Sequence, residues 1–460
     1  MCLKLFSLVF YLFKWLASKL RCGAACVRKE TEMQRYHRKI AGTIVLALAG
    51  TSVGYAQQVD YYSRDKYESV LERKQPEYDP EPIRVGSFSV NAKAEAGLSS
   101  TDNVFASETN EESDVLFRLG GAASAKSDWS NNEVGIDVSA YRNEYADFSD
   151  ESTNNFTGQL RGRLDVTRGI SVSGRVFAED RAEQRTDLTG SIGVDRPVQF
   201  TRSGGGVRAS YQNDRVQVYG GADFISRDFD DARSIVDGSN IDQDFRDRDE
   251  VSFDARASYA ISPDVAFFAQ GRTYDVSFDN DTTVDAVARS RDATGYTVQV
   301  GANFELQSLV GGDIAIGYLE ENKKDEFFGD VDGLSIQGTL DWYPSRLTTV
   351  TASAGRKAAD IGVLDAPSGT QTDLGLNVAH EFRRNILGMI FVKRTEYDAE
   401  GVDRTDEIDE IGASVTYKIN RRVHVQGYAR GIDRDISGID SVGSTGYDNS
   451  VIGLGITIFP

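Results

Sequence analysis

The sequence predicts an all-β fold: a transmembrane, antiparallel, up-and-down β-barrel of about eighteen strands (16–18). Three observations predict it. From Gly86 to Pro460 the chain repeats segments in which one phase is apolar and the other polar or charged, the period of a strand and not of a helix. The connections between these segments alternate between tight turns and long loops. Aromatic residues gather at the segment ends that precede the tight turns.

The alternation is clearest late in the chain. Ile411, Ala413, Val415, Tyr417 and Ile419 interleave with Gly412, Ser414, Thr416 and Lys418. Tyr296, Val298, Val300, Ala302 and Phe304 interleave with Thr297, Gln299, Gly301 and Asn303. Eighteen such segments are counted: 87–99, 114–126, 133–145, 154–166, 170–183, 199–212, 215–227, 248–261, 265–277, 293–306, 311–322, 332–343, 347–358, 370–382, 386–397, 406–419, 422–434 and 448–459. Thr167-Arg168-Gly169, Asn213-Asp214, Ser262-Pro263-Asp264 and Asn420-Arg421 are tight turns, each after an even-numbered segment. Several odd-numbered segments lead into long connections, such as 228–245 and 278–292. Outer-membrane barrels have this alternation, with short periplasmic turns and longer outer loops. A soluble sandwich has no reason for it. Tyr211, Tyr259, Phe304, Trp342, Phe382 and Tyr417 share the apolar phase at the turn ends, which predicts an aromatic girdle at one membrane interface. A strand edge cannot stay unpaired in lipid, so such a chain must close.

The chain has 460 residues, with 71 acids against 51 bases and a net charge of −20. That balance excludes a nucleic-acid partner, which needs a basic footprint. Residues 1–56 differ from the rest. From Met33 a basic stretch, an apolar run over 40–48 and small residues at Gly54 and Ala56 read as a signal peptide over 33–56. Residues 1–32, which hold all three cysteines, then read as a mis-annotated N-terminal extension ahead of the true start at Met33. Removing 1–56, with nine bases and two acids, takes the charge from −20 to −27. An exported chain without disulfides needs another source of stability, and a closed ladder of strands is one. Residues 57–85, with three of the eight prolines, read as a periplasmic linker segment before a barrel over 86–460.

The polar phase is expected to line the lumen. It carries Arg118, Arg161, Arg163, Arg175, Arg256, Arg272 and Arg430 together with Asp137, Asp254 and Glu305. Eighteen strands enclose an aqueous lumen unless a loop folds in, and such charges suit the passage of hydrated solutes. Tyr141, Phe177, Tyr219, Phe268 and Tyr428 fall on the same phase, where flat rings suit stacking on sugars as well as plain packing. Among the long loops, 228–245 is the candidate for an inward-folded constriction. Acidic clusters at 147–151, 228–231 and 325–332 lack the Asp-x-Asp-x-Asp-Gly spacing of a calcium loop, so no metal site is assigned. The barrel contains His380 on the outward phase and His424 on the inward one, but no nucleophile motif, no His-Glu-x-x-His and no phosphate loop. No enzyme activity and no cofactor is expected.

The terminal strand resembles the assembly signal of bacterial outer-membrane proteins, with Ile452, Leu454, Ile456 and Ile458 on one phase and Phe459 near the end. Pro460 stands where an aromatic is usual. Glu77-Tyr78-Asp79-Pro80, Ile83-Arg84-Val85-Gly86-Ser87-Phe88 and Thr101-Asp102-Asn103-Val104-Phe105 resemble the opening of the outer-membrane β-barrel porin type 2 family. The resemblance implies an outer-membrane location with both termini in the periplasm and a relation to barrels found with exopolysaccharide secretion. Implied partners are outer-membrane lipid and lipopolysaccharide, the barrel assembly machinery and periplasmic polysaccharide-export components. Three functions stay open on sequence: a passive conduit tilted toward exopolysaccharide export, a general or sugar-uptake porin, and a plugged structural or adhesive barrel.

Overall fold

The computed structural model describes residues 68–188, 193–284, 286–306, 309–361, 368–438 and 446–460. Residues 1–67, on which the expected signal peptide over 33–56 and the expected extension over 1–32 fall, lie outside the described residues.

Eighteen long strands form one antiparallel sheet that closes on itself. They are β1 (Phe88–Thr101), β2 (Asp114–Ser127), β3 (Asn132–Tyr145), β4 (Thr153–Thr167), β5 (Ile170–Ala182), β6 (Gln199–Gln212), β7 (Val216–Phe229), β8 (Arg248–Ser262) and β9 (Val265–Phe278). They continue as β10 (Ala293–Leu306), β11 (Val310–Lys323), β12 (Val331–Ser345), β13 (Thr348–Asp360), β14 (Ser368–Arg383), β15 (Ile386–Ala399), β16 (Arg404–Asn420), β17 (Val423–Gly438) and β18 (Tyr447–Ile458). Each strand pairs with the next, and β18 returns to β1 in a register running from Ile458↔Ala94 to Val451↔Thr101. The expected segments and these strands agree to within four residues at every end.

Side chains make the short turns. Asn213 Oδ1 accepts from the amides of Arg215 and Val216, and Asn420 Oδ1 from those of Arg422 and Val423. Ser262 and Ser345 do the same with hydroxyls, toward Asp264 and Leu347. These are the Asx and Ser/Thr turns that such residues favour. Ahead of the barrel, Ile83–Val85 pairs back on β1 through a two-residue link in which Gly86 takes φ +61°, a conformation that glycine adopts at no steric cost.

Burial is inverted relative to a soluble protein. Leu119, Val298, Val300 and Ile316 are all more than half exposed on the outer face, whereas Arg291, Glu179 and Asp406 are almost fully buried inside. Small satellite clusters replace a single hydrophobic core, among them Val194, Val198, Phe229 and Ala232 at the long-loop end. Cohesion comes from the uninterrupted ladder and from polar contacts across the lumen.

Candidate functional site: the lumen and its two mouths

Strand alternation turns Arg118, Asp137, Arg161, Arg163, Arg175, Asp254, Arg256, Arg272, Glu305 and Arg430 to the inner phase. Most of them meet a carboxylate there. Arg161 bonds Asp137, Arg163 sits 3.0 Å from Asp165, Arg272 bonds Glu250, and Arg430 lies 2.9 Å from Glu410. Glu305 faces inward near the turn end, opposite Gly311.

Three of the pairs reach across intervening strands. Arg175 on β5 and Asp223 on β7 are 2.9 Å apart, and the residue between them in the same row is Gly206 on β6. Arg208 on β6 and Asp254 on β8 are 3.1 Å apart across Gly221 on β7. A Cβ on Gly206 would come within 2.2 Å of the Asp223 carboxylate, so the absent side chain is what lets the pair form. Arg256 on β8 reaches Asp313 on β11 at 2.6 Å, past Gln270. These rows were hidden in the sequence because each joins residues of three or four strands. An inward glycine flanked by charged rows is the only signal that points to them.

Four of the five inward aromatics carry a guanidinium over one face. Arg118 lies 4.3 Å from the Tyr141 ring centre, Arg202 4.7 Å from Phe177, Arg208 4.6 Å from Tyr219 and Arg256 3.4 Å from Phe268. Ring faces expected to stack on sugar are therefore engaged in cation–π contacts on that side. The six turn-end aromatics point outward. Tyr211, Tyr259, Trp342, Phe382 and Tyr417 are 44–63 % exposed and Phe304 is half-buried. His380 faces outward against Phe382, with Nδ1 2.9 Å from the Thr348 hydroxyl. His424 faces inward, with Nε2 3.0 Å from the Tyr78 carbonyl.

The short-turn mouth is partly filled by residues 68–82. Val70 is buried with the inward Ala379 and Leu387, and its amide donates to Thr349 Oγ1 at 3.0 Å. Arg73 pairs with Glu381 at 3.3 Å, Asp79 with Lys418 at 2.6 Å, Glu77 with Arg384 at 3.6 Å, and Glu81 bonds Arg421. The described part of the linker is thus a folded strap inside the mouth.

At the long-loop end, one loop crosses the lumen. Residues 183–188, which follow β5, reach the wall formed by β15 to β18. Tyr447 Oη donates to the Thr186 carbonyl at 2.8 Å, and Arg434 to that of Leu188 at 3.4 Å. Asp187 lies in a cleft of about 220 Å³ with Lys393, Tyr397, Glu410 and Arg430 of β15 to β17. The candidate constriction 228–245 instead holds a short two-stranded hairpin, Ala232–Arg233 against Asn240–Ile241. Its tip is open to solvent, with Ile235 66 % and Val236 89 % exposed, and Ser234 bridges to Val194. Loop length carries no direction. The course of 183–188 is held by Arg185, bonded to both Glu151 oxygens, and by Glu183, paired with buried Arg246. The exposed hairpin brings the Asp231, Asp242 and Asp244 carboxylates together, and Asn240 and the Gln243 amide already bond Asp231.

Asp187 is open to lumen water but ringed by protein atoms, and this poor solvation, aided by Glu183, raises its carboxyl to about 6 against the opposing pull of Arg430 and Arg181. Between strap and loop, on the β1 to β7 side, lies a cavity of about 1420 Å³. Glu81 and Arg168 border it at the turn end, and Arg175, Tyr219 and Asp223 line it further in.

A closed antiparallel barrel with an apolar outer belt and a charged, partly open lumen is a porin-like channel of the outer membrane. The chain belongs to the family described as Putative beta-barrel porin 2, whose model matches residues 75–459. No curated protein matches it. Among solved structures it is similar to "Copper transporter OprC" (10% identity, TM-score 0.46, 83% of this chain and 82% of that one). It is also similar to Pseudomonas aeruginosa OccK2 (OpdF) (10% identity, TM-score 0.45, 82% and 98%) and to a BenF-like porin from Pseudomonas fluorescens Pf-5 (10% identity, TM-score 0.45, 82% and 100%).

Proposed function

We propose that the protein is a passive conduit for hydrophilic material, that its short turns and both termini face the periplasm, and that it serves exopolysaccharide export. The observation that carries the conduit reading is the cavity of about 1420 Å³, walled by charged and polar side chains of both signs. Such a wall wets readily and selects by size and charge, with no covalent step. Orientation rests on loop length, since short turns lie in the periplasm and long loops outside. Export rests on the resemblance of the opening motifs to barrels found with exopolysaccharide secretion. The aromatic ring at the turn end would then sit at the inner interface of the membrane, and Ile452, Leu454, Ile456, Ile458 and Phe459 would serve recognition by the assembly machinery.

A second reading, a general or sugar-uptake porin, is favoured by residues 183–188, which lie against β15 to β18, because uptake porins narrow their lumen with an inward-folded loop. Single-channel recording of the refolded chain in a planar bilayer tests both. Stable steps blocked by polysaccharide added on the short-turn side support export, and block by short sugars from the long-loop side supports uptake. A barrel that inserts and stays silent under all conditions rejects both readings in favour of a structural or adhesive barrel.

A further inference from the structure

We propose that residues 72–81 are a displaceable acidic occupant of a cationic site at the short-turn mouth, and that the ligand which displaces them is a carboxylated polysaccharide. The inference deepens the export reading and rests on it, since the exported material must meet this mouth first.

The strap that fills the mouth is acidic. Residues 68–82 hold five acids and two bases, and three of the acids pair with the barrel: Glu77 with Arg384, Asp79 with Lys418 and Glu81 with Arg421. The surface they meet is basic beyond those pairs. Arg346, Arg383 and Arg422 stand exposed on the same short turns, and among the described residues none of the three guanidiniums has a carboxylate in ion-pair range. The mouth thus has more cationic sites than the strap fills.

Two of the three acid pairs are open to water, while Asp79–Lys418 is more enclosed, with Lys418 11 % exposed. The Glu77–Arg384 pair is 65 % and 75 % exposed, and Glu81–Arg421 is 72 % and 46 % exposed. Pairs so open to water hold weakly and are screened by salt. The apolar anchor is Val70, upstream of the paired acids. Residues 72–81 can therefore release while Val70 keeps its seat. Pro80 and Glu81 form part of the border of the large cavity, so their release widens the way into it. A polymer with a carboxylate on each repeat competes for the same guanidiniums with many weak contacts at once, which gains avidity that a free carboxylate lacks. The chemistry is the one the strap already uses: guanidinium and ammonium against carboxylate. Neutral glucans have nothing to offer these sites.

The experiment follows trypsin cleavage after Lys74 in the refolded full chain by mass spectrometry, normalised to cleavage after the exposed loop residue Arg233. The probes are polygalacturonate, dextran of matched length and phosphatidylglycerol vesicles, with bilayer conductance recorded in parallel. Polygalacturonate is expected to speed cleavage after Lys74 by about ten-fold, and dextran to leave it unchanged. The E77Q/D79N/E81Q variant should be cut at the fast rate without polymer. The R346Q/R383Q/R422Q variant keeps the strap's pairs and should be cut slowly while losing the response to polygalacturonate. Unchanged cleavage with polygalacturonate, in a protein that still conducts, overturns the proposal and leaves the channel reading standing. Acceleration by phosphatidylglycerol alone also overturns it and assigns the mouth to lipid headgroups. Absence of conductance in every variant overturns the channel reading instead.

Discussion

Gly206 shows how much of the lumen depends on side chains that are missing. Arg175 and Asp223 bond across β6 only because the residue between them has no Cβ. Both ions are largely buried, at 12 % and 15 % exposure, and a buried ion separated from its partner is costly. Gly206→Val is expected to destabilise the barrel by about 2–4 kcal/mol, combining overpacking with a broken pair. Urea unfolding in lipid measures it. Val207→Ala, one residue on and facing out, should cost well under half as much. Alternation along a single strand gives each charge its face, and all ten candidate lumen residues share the inner phase. Which charge meets which it does not give, because Arg256 and Asp313 are 57 residues apart in the chain.

At the scale of elements, β-strands and turns were legible and loops were not. Period-2 patterning and Asx or Ser turns are local, so the eighteen strands could be read directly. The course of 183–188 is decided by contacts with Glu151 in the β3–β4 loop and with Arg434 and Tyr447 on β17 and β18. Its crossing sets a pH dependence. The Asp187 carboxyl is raised to about 6 by its enclosure, so it is mostly ionised at pH 7 and mostly neutral at pH 5. The cation-to-anion permeability ratio of the channel is expected to fall as pH drops through 6, and Asp187→Asn should show the low value at both pH values. Reversal potentials in a salt gradient read this out. The sign for stability follows from the same shift. The unfolded chain releases this proton near the ordinary value of 3.8 and the folded one near 6, so the docked loop loses stability as pH rises across that interval and is level above it.

The whole molecule is organised by its solvent. Apolar side chains face out because the surroundings are hydrocarbon, and polar ones face in because the lumen holds water. Val300, 60 % exposed on β10 between Ala269 and Ile316, tests that inversion. Val300→Arg should cost about 2–4 kcal/mol in a bilayer, whereas Gly301→Ser on the inner phase should not meet that membrane penalty, its cost being set by crowding against the Ile314 carbonyl and the Phe268 ring. Equilibrium unfolding in vesicles compares the two.

The sequence by itself determined the all-β class, the number of strands, the face each residue takes and the end at which the turns are short, because each of these follows from neighbours within a few residues. Only the tertiary structure decided how the lumen is narrowed: the strap of residues 68–82 in one mouth, residues 183–188 against β15 to β18 in the other, and the charge rows that skip strands. Those contacts join residues up to some 345 positions apart, as between Pro76 and Arg421. Closure of the ring alone brings them together, and no local pattern encodes which of many similar charges will meet.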